Sequence, residues 1–328
     1  MKEPSIADLG RYENQVVTAF FVVTTWQTRR KKDGSPYFAL TIADRTGQME
    51  ARMWETSDAE EFAAGDIVKV RGQVNRYQDK LQITLDRIRR ATPEEFDVGD
   101  FVPKTECDVE ELWVVLSGYV ESFTDPHLKA LLRLFLDDQE IAGALREAPA
   151  AKTLHHAWIG GLLEHIVSLL GICDLVAKHY GVHRDLLLTG AVLHDIGKLH
   201  ELRWGTSFEY TVQGQLLGHI TIGLGMVERK MDAIEGFPPE LRLLVSHLIL
   251  SHHGKYEFGS PKLPMIPEAV LLHYLDDMDA KMQTMRTEFA RNAAGGRGAD
   301  EMTDWVRSME RPLLNTAAFL SKASESES

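Results

Sequence analysis

The residues best suited to chemistry are concentrated in one stretch of the chain. Twelve of its 13 histidines lie from His155 to His273. Imidazole and carboxylate groups recur there in an order that suits borderline divalent cations such as Mn²⁺, Fe²⁺, Co²⁺, Ni²⁺ or Zn²⁺. The candidate metal ligands are His165, His194, Asp195, His219, His252, His253 and Asp276.

The adjacent pair His194 and Asp195 is the most informative part of this series. A carboxylate has two oxygens and can bridge two ions, while the neighbouring imidazole binds one of them. This geometry allows a centre of two divalent metal ions, and of the metals named above Mn²⁺ is the one we expect first. Asp279 lies one helical turn after Asp276, so it is either the partner of a ligand or, in place of Asp276, the ligand itself.

A cation accompanies these ligands. Lys198 follows His194 by four residues, which places both side chains on one face of a helix. A lysine beside bound metal ions suits a phosphate group, whereas the opposing interpretation is a solvent-facing lysine near a helix end. We predict catalytic roles for Asp195 and Lys198.

The elements that must position these residues are helices. Apolar residues recur at helical spacing, for example over Gly161–Tyr180, which carries His165. Further predicted helices lead into His194 and end before His252. The part of the chain that carries the chemistry is therefore predicted to be all α-helical.

The N-terminal part of the chain has the pattern of short β-strands separated by turn signals such as Asp33-Gly34. The predicted strands are Val16–Thr25, Tyr37–Ala43, Gln48–Trp54, Ile67–Val74 and Leu81–Ile88. Five short strands in so short a segment suggest an OB-fold barrel. We therefore predict a multidomain α+β protein in which an N-terminal five-stranded OB-fold β-barrel precedes an all-α domain.

Charge is unevenly distributed along a chain whose net charge is −13. Residues 11–90 contain 14 Lys and Arg against 11 Asp and Glu, whereas the rest of the chain is acidic. OB barrels bind single strands through basic grooves and stacked aromatic rings. The segment also contains Phe38 and Trp54, but each of these two rings could belong to the barrel core and not to a binding surface. The predicted nucleic-acid-binding residues are Arg29, Arg30, Lys31, Lys32, Tyr37, Arg76 and Tyr77.

Composition excludes several other classes of protein. Of the 328 residues, 44% are hydrophobic and 26% are charged, which is typical of folded globular domains. No apolar run approaches the roughly 18 residues that span a bilayer, and the N-terminus lacks the pattern of an export signal. Cys107 and Cys173 are too few for a disulfide framework. We expect a soluble, cytoplasmic protein without a membrane partner.

The ordered ligands resemble those of the HD superfamily of metal-dependent phosphohydrolases. The series H…HD…D of that superfamily matches His165, His194-Asp195 and Asp276. The additional histidines are similar to its dinuclear branch, although the segment after His253 lacks the GYP signature of the cyclic-dinucleotide phosphodiesterases. The resemblance implies an HD phosphohydrolase domain.

A more specific resemblance is to the YhaM-type 3′-to-5′ exoribonucleases, which join an N-terminal OB domain to an HD domain. It rests on His155-His156, on Gly160–His165, on HDIGK from His194, on SHHG from Ser251 and on Gly259-Ser260-Pro261. It implies hydrolysis of single-stranded RNA from the 3′ end, with single-stranded DNA as an alternative polymer. A homo-oligomer is left open.

The predicted organisation follows from these segments. Residues 1–91 form the OB domain, 92–104 a linker, 105–150 a helical connector that packs on the HD domain, 151–291 the HD domain, and 292–328 a C-terminal helical extension with a flexible tail.

The predicted reaction is phosphodiester hydrolysis by a metal-activated hydroxide. As a hypothesis, Asp195 bridges two ions: His165, His194 and Asp276 complete one site, and His219, His252 and His253 complete the other. An alternative is an HD-domain nucleotidase or cyclic-dinucleotide phosphodiesterase with a regulatory OB domain. The predicted substrate-binding residues are His155, His156, Lys198, Gly259, Ser260 and Pro261.

Overall fold

The computed structural model describes residues 4–55, 62–78, 80–96, 98–151, 158–205, 208–294, 298 and 300–325. The chain divides into two compact units. One comprises Met1–Lys104 with Arg203–Glu209, and the other comprises Thr105–Leu202 with Tyr210–Ser328. The segment predicted as a linker, residues 92–104, falls within the first unit.

The first unit is a closed β-barrel, which confirms the predicted five-stranded fold. Its strands are β1 (Val16–Arg30), β2 (Pro36–Asp44), β3 (Gly47–Met53), β4 (Ile67–Tyr77) and β5 (Lys80–Arg90). They pair in the order β1-β2-β3-β5-β4. All pairs are antiparallel except β3 with β5, which is parallel and places Glu50 opposite Gln82.

Alternating burial explains how this barrel closes. Phe21, Ile42 and Ile83 are among the fully buried side chains of its core, and buried residues alternate with less buried ones along β2. Gly72 lies at a register shift between β4 and β5. A Cβ atom there would come within 2.4 Å of the backbone oxygen of Thr84, so this position requires glycine.

The second unit is helical. Its helices are α1 (Val109–Glu121), α2 (Pro126–Leu136), α3 (Gln139–Glu147), α4 (Gly161–Tyr180), α5 (Arg184–Leu193), α6 (Lys198–Glu201), α7 (Val212–Asp232), α8 (Pro239–Ser251), α9 (Pro267–Ala294) and α10 (Thr316–Glu325). Two short paired strands, β6 (Leu202–Arg203) and β7 (Glu209–Tyr210), precede α7. Within the described part of the chain, no helix is both long and apolar enough to cross a membrane.

Aspartates start and connect the first helices of this unit. Asp108, Asp125 and Asp138 cap α1, α2 and α3 by accepting backbone N–H groups, which satisfies donors that a helix end leaves unpaired. Asp185 of α5 is buried and accepts the backbone N–H of Thr124 at 2.6 Å. These contacts fix the connection between α1 and α2 against α5.

Glycines allow the elements around the histidines to approach closely. A Cβ at Gly197 would lie 2.0 Å from the backbone oxygen of His219, and one at Gly190 would lie 2.8 Å from Leu272. Gly218 has a φ of 70°, which is not helical and kinks α7 at this position. His219 is the first residue after the kink. The turn that follows α5 and the broken helix α7 are thereby held in contact.

Candidate metal centre and nucleic-acid surface

Five histidine rings of the helical unit are oriented in the same way, because the Nδ1 atom of each contacts an oxygen atom of the protein. Two contact carboxylates: His165 Nδ1 lies 2.8 Å from Asp279 Oδ2, and His219 Nδ1 lies 3.1 Å from Glu201 Oε1. The other three contact backbone oxygens: His194 that of Ala191 at 3.1 Å, His252 that of Ile249 at 2.8 Å and His253 that of Phe258 at 2.8 Å. Because these acceptors require a proton on Nδ1, each neutral ring has its lone pair on Nε2.

The histidines form two groups with a carboxylate between them. One group contains His165 and His194 together with Asp195, and the other contains His219, His252 and His253; within each, the potential ligand atoms lie within 4.8 Å of one another. Asp195 Oδ2 lies 3.3 Å from His194 Nε2, whereas its Oδ1 lies 3.4 Å from His219 Nε2. Each oxygen of Asp195 therefore faces a different group.

Two nitrogen atoms provide a direct test of whether this site suits a metal. His219 Nε2 and His252 Nε2 are buried and form no hydrogen bond with the described residues. Burying such an atom without a partner is costly. Burial is also the main reason that the pKa of His252 lies well below its usual value, so the ring is neutral. A divalent cation would use both lone pairs, and the residues present therefore fit one.

The structure separates the two aspartates that the sequence left as alternatives. Asp276 Oδ1 lies 3.2 Å from His165 Nε2 and 3.8 Å from His194 Nε2, on the side of the potential ligand atoms. Asp279 contacts Nδ1 on the other edge of His165 and accepts a hydrogen bond from Ser168 at 2.6 Å. Asp276 therefore lies where its carboxylate could reach an ion shared with these histidines, whereas Asp279 contacts the opposite edge of the His165 ring.

Lys198 is held in the same cluster. Its Nζ lies 2.6 Å from Asp195 Oδ2, and its side chain is largely buried. Burial is the largest single influence on both groups and opposes their charged forms. The combined effect of their mutual contact and of the other charged groups nearby outweighs it, so the pKa of Asp195 is lowered and that of Lys198 is raised. Burial likewise opposes the charged form of His165, yet hydrogen bonds to Asp276 and Asp279 raise its pKa to about 10.

Part of this cluster lines a cavity of about 570 Å³, namely Asp195, Lys198, His219, His252, His253 and Asp276. Several lining residues had not been predicted from the sequence, among them Tyr210, Phe258 and His273. Glu201, which also lines it, had no signal beyond an acidic residue in a short helix. His273 donates from Nδ1 to the backbone oxygen of His252 at 3.0 Å. Its ring lies against Gly254, where a Cβ would come within 2.3 Å of it.

The predicted substrate loop is placed differently from the metal ligands. Ser260 is buried, and its hydroxyl contacts the backbone oxygen of Lys262 at 2.7 Å. Gly259, Ser260 and Pro261 are not among the described residues that line the cavity. His155 and His156 lie outside the described residues. Of the predicted substrate-binding residues that the structure describes, only Lys198 lines the cavity.

The barrel presents aromatic and basic side chains on its outer surface. The rings of Tyr37 and Trp54 stack with centroids 4.7 Å apart, and the Arg52 guanidinium lies 5.1 Å from the Tyr77 ring. Trp54 is exposed, so the interpretation of this residue as core was wrong. Phe38 is buried, as that interpretation required.

The predicted basic residues of the barrel have distinct surroundings. Arg29 and Arg30 are exposed at the end of β1, and Lys31 and Lys32 follow in the turn to β2. Arg76 forms an ion pair with Glu13 at 3.1 Å. Four consecutive cations therefore lie beside Tyr37, which pairs with Arg29 across β1 and β2.

Comparison with known families supports this division of the molecule. Residues 162–281 match the family model of the HD domain. The chain contains an HD domain. Residues 21–91 match the family model described as an OB-fold nucleic acid binding domain. The helical unit therefore includes a domain of the metal-dependent hydrolase superfamily, and it is accompanied by a nucleic-acid-binding fold.

Solved structures resemble parts of the chain. The second OB-fold domain of replication protein A from Methanococcus maripaludis is 26% identical, and the match covers 26% of this chain and 92% of that one with a TM-score of 0.23. A replication protein A heterotrimer bound to ssDNA is 25% identical, with 24% and 60% covered and a TM-score of 0.21. A putative aspartyl-tRNA synthetase from Leishmania major is 15% identical, with 42% and 34% covered and a TM-score of 0.22.

Proposed function

We propose that this protein is a metal-dependent 3′-to-5′ exoribonuclease that removes nucleotides from single-stranded RNA, with single-stranded DNA as an alternative polymer. The observation that carries the proposal is the convergence of five oriented histidines with Asp195 and Asp276 in the HD domain, beside a cavity that Asp195, Asp276 and three of the histidines line. The OB-fold barrel on the same chain adds a polymer-binding element. The RNA preference and the 3′-to-5′ direction rest on the resemblance to the YhaM-type enzymes.

Two metal ions are proposed, with Mn²⁺ as the first expectation. His165, His194, Asp195 and Asp276 would hold one ion, and Asp195, His219, His252 and His253 would hold the other. When bound, the two ions would supply Lewis acidity and an activated water for attack at phosphorus. Their combined charge exceeds that of the Asp195 and Asp276 carboxylates. The site is therefore electrostatically suited to an anionic phosphodiester.

The protein residues around the ligands have separate tasks in this proposal. Lys198 contacts Asp195 and is long enough to turn towards a non-bridging phosphate oxygen, where its charge stabilises the transition state. Asp279 and Glu201 keep the rings of His165 and His219 in place through Nδ1. Neither carboxylate needs to touch the substrate, so both are positioning residues.

The barrel has the composition of a surface that holds a single strand. Tyr37, Trp54 and Tyr77 offer ring faces on which bases stack without sequence preference. The cations from Arg29 to Lys32 and Arg52 would contact phosphates. This arrangement favours a polymer over a mononucleotide as substrate.

The test is degradation of single-stranded RNA by the full chain loaded with Mn²⁺. RNA labelled at its 5′ end should yield a ladder that shortens one nucleotide at a time. RNA labelled at its 3′ end should release labelled mononucleotide at once. The Asp195→Asn variant should give neither product while still binding RNA.

Two results would contradict the proposal. An oligonucleotide left intact under conditions in which mononucleotides or cyclic dinucleotides are hydrolysed would favour the small-molecule alternative, with the barrel in a regulatory role. Equal turnover by the Asp195→Asn variant would refute the assigned metal site.

A further inference from the structure

Phe258 combines a fixed backbone with an exposed ring. Its backbone oxygen accepts the hydrogen bond from His253 Nδ1 at 2.8 Å, so its position is tied to a proposed metal ligand. Phe258 lines the cavity, 54% of the residue is exposed, and Lys255 Nζ lies 5.1 Å from the centroid of its ring. A phenylalanine ring is therefore presented at a defined place beside the reaction site, with much of its surface open to solvent.

The loop that carries Phe258 is held in one conformation. Gly254 and Gly259 have φ values of 74° and 80°, in a region that side chains other than glycine rarely adopt. The backbone N–H groups of Phe258 and Ser260 both donate to the oxygen of Lys255, at 3.1 and 3.2 Å. The buried hydroxyl of Ser260 fastens the end of the loop. The ring is thus pre-organised, which reduces the entropy lost when a ligand binds.

A second aromatic residue reaches the same cavity from a different element. Tyr210, at the end of β7, also lines the cavity and is 44% exposed. It lies just before α7, the helix that carries His219. The two aromatic residues therefore line the same cavity from separate parts of the chain, Tyr210 ahead of α7 and Phe258 after α8.

We propose that Phe258 and Tyr210 form a nucleobase-stacking subsite at the metal cavity, which selects a nucleotide over other phosphate esters. The inference rests on the proposed function, because it places the phosphate of a nucleotide at the metal centre. Lys198 and the metal ligands are suited to the phosphate, whereas they offer nothing specific to a base. An exposed aromatic ring supplies that missing contact through a π-face that every base can stack on.

Binding of two small probes to the Mn²⁺-loaded full chain tests this subsite. Adenosine 5′-monophosphate carries a base, and ribose 5-phosphate has the sugar and phosphate alone. Calorimetry should show that the wild-type protein binds the nucleotide about 5- to 150-fold more tightly, as expected for one stacked base. Phe258→Ala should remove most of that preference, Phe258→Trp should retain it, and Tyr210→Ala should reduce it.

Tyr256 provides a matched control. It is a neighbouring aromatic residue of the same short helical turn, is 63% exposed and is not among the described residues that line the cavity. Tyr256→Ala should keep the wild-type preference. All variants should keep the wild-type metal content, because the backbone oxygen of residue 258 remains available to His253.

The outcomes separate this inference from the proposed function. Equal wild-type affinity for the two probes would overturn the subsite, as would equal losses for both probes in Phe258→Ala or the same loss of preference in Tyr256→Ala. A base preference that depends on Phe258, in a protein that leaves oligonucleotides intact, would support the subsite and refute the exonuclease. Degradation of oligonucleotides by a protein without any base preference would support the exonuclease and refute the subsite.

Discussion

The proposed metal centre and the outer face of the barrel present the side chains assigned to them in contrasting ways. His165, His194 and Asp195 are almost completely buried, and every histidine of the centre is held through Nδ1. On the barrel, Tyr77 and Trp54 are exposed and are restrained by ring contacts with their neighbours. The buried groups can hold the fixed geometry that chemistry requires, whereas the exposed rings suit a strand that changes with every turnover.

The largest effect is expected from breaking the bridge between the two histidine groups. Asp195→Asn removes the charge that faces both groups, so we expect a loss of metal binding and a fall in turnover of at least about 1000-fold. Metal content by elemental analysis and RNA degradation measure these effects. Asp137→Asn, on the exposed end of α2, is the control and should match the wild type. A variant at Asp195 that retained two ions would show that this residue does not bridge.

The two positioning carboxylates should have smaller and separable effects. Asp279→Asn and Glu201→Gln should each weaken metal binding by about 10- to 100-fold, because each orients a histidine of a different group. In a two-step calorimetric titration, each variant should weaken one step, and the double variant should weaken both. If the two single changes weakened the same step, the assignment of the carboxylates to two ions would be wrong.

The stacked pair on the barrel should affect binding to polymers only. Trp54→Ala should weaken the binding of single-stranded RNA by about 1–3 kcal/mol, which corresponds to one lost base contact. Cleavage of a dinucleotide should not change, since so short a substrate does not need the barrel. Trp305→Ala, which removes an exposed tryptophan of the helical unit, is the matched control. Equal losses on the polymer and the dinucleotide would contradict the separate role of the barrel face.

The smallest effect is expected for a single exposed cation of the barrel. Arg29→Ala should reduce the slope of log affinity against log salt concentration by about 0.7, the value for one phosphate contact on a single strand. Fluorescence anisotropy of labelled RNA at several salt concentrations measures this slope. An unchanged slope would place the strand away from Arg29.

The sequence predicted the ligand types and the barrel because both depend on local pattern. Strand alternation and turns define the barrel, and the His-Asp doublet is visible without a structure. The partners of the histidines are not local: Asp279 follows His165 by 114 positions, and Glu201 precedes His219 by 18. Helix packing brings these pairs together, and the spacing of residues does not encode it.

The direction in which a side chain points could also not be predicted from the sequence at two positions. Ser260 belongs to a stretch that suggested substrate contact, but its hydroxyl turns inward to backbone oxygens. Trp54 could have belonged to the core, yet it follows the last residue of β3, is exposed and stacks on Tyr37. In both cases, the outcome depends on backbone geometry at the end of an element.

The most direct test of the central claim is anomalous diffraction at the manganese absorption edge from crystals of the Mn²⁺-loaded protein. Two peaks are expected about 3.5–4 Å apart, one beside His165 and His194 and the other beside His219 and His252, with a different oxygen of Asp195 facing each. A single peak, or two peaks that do not share Asp195, would contradict the dinuclear centre.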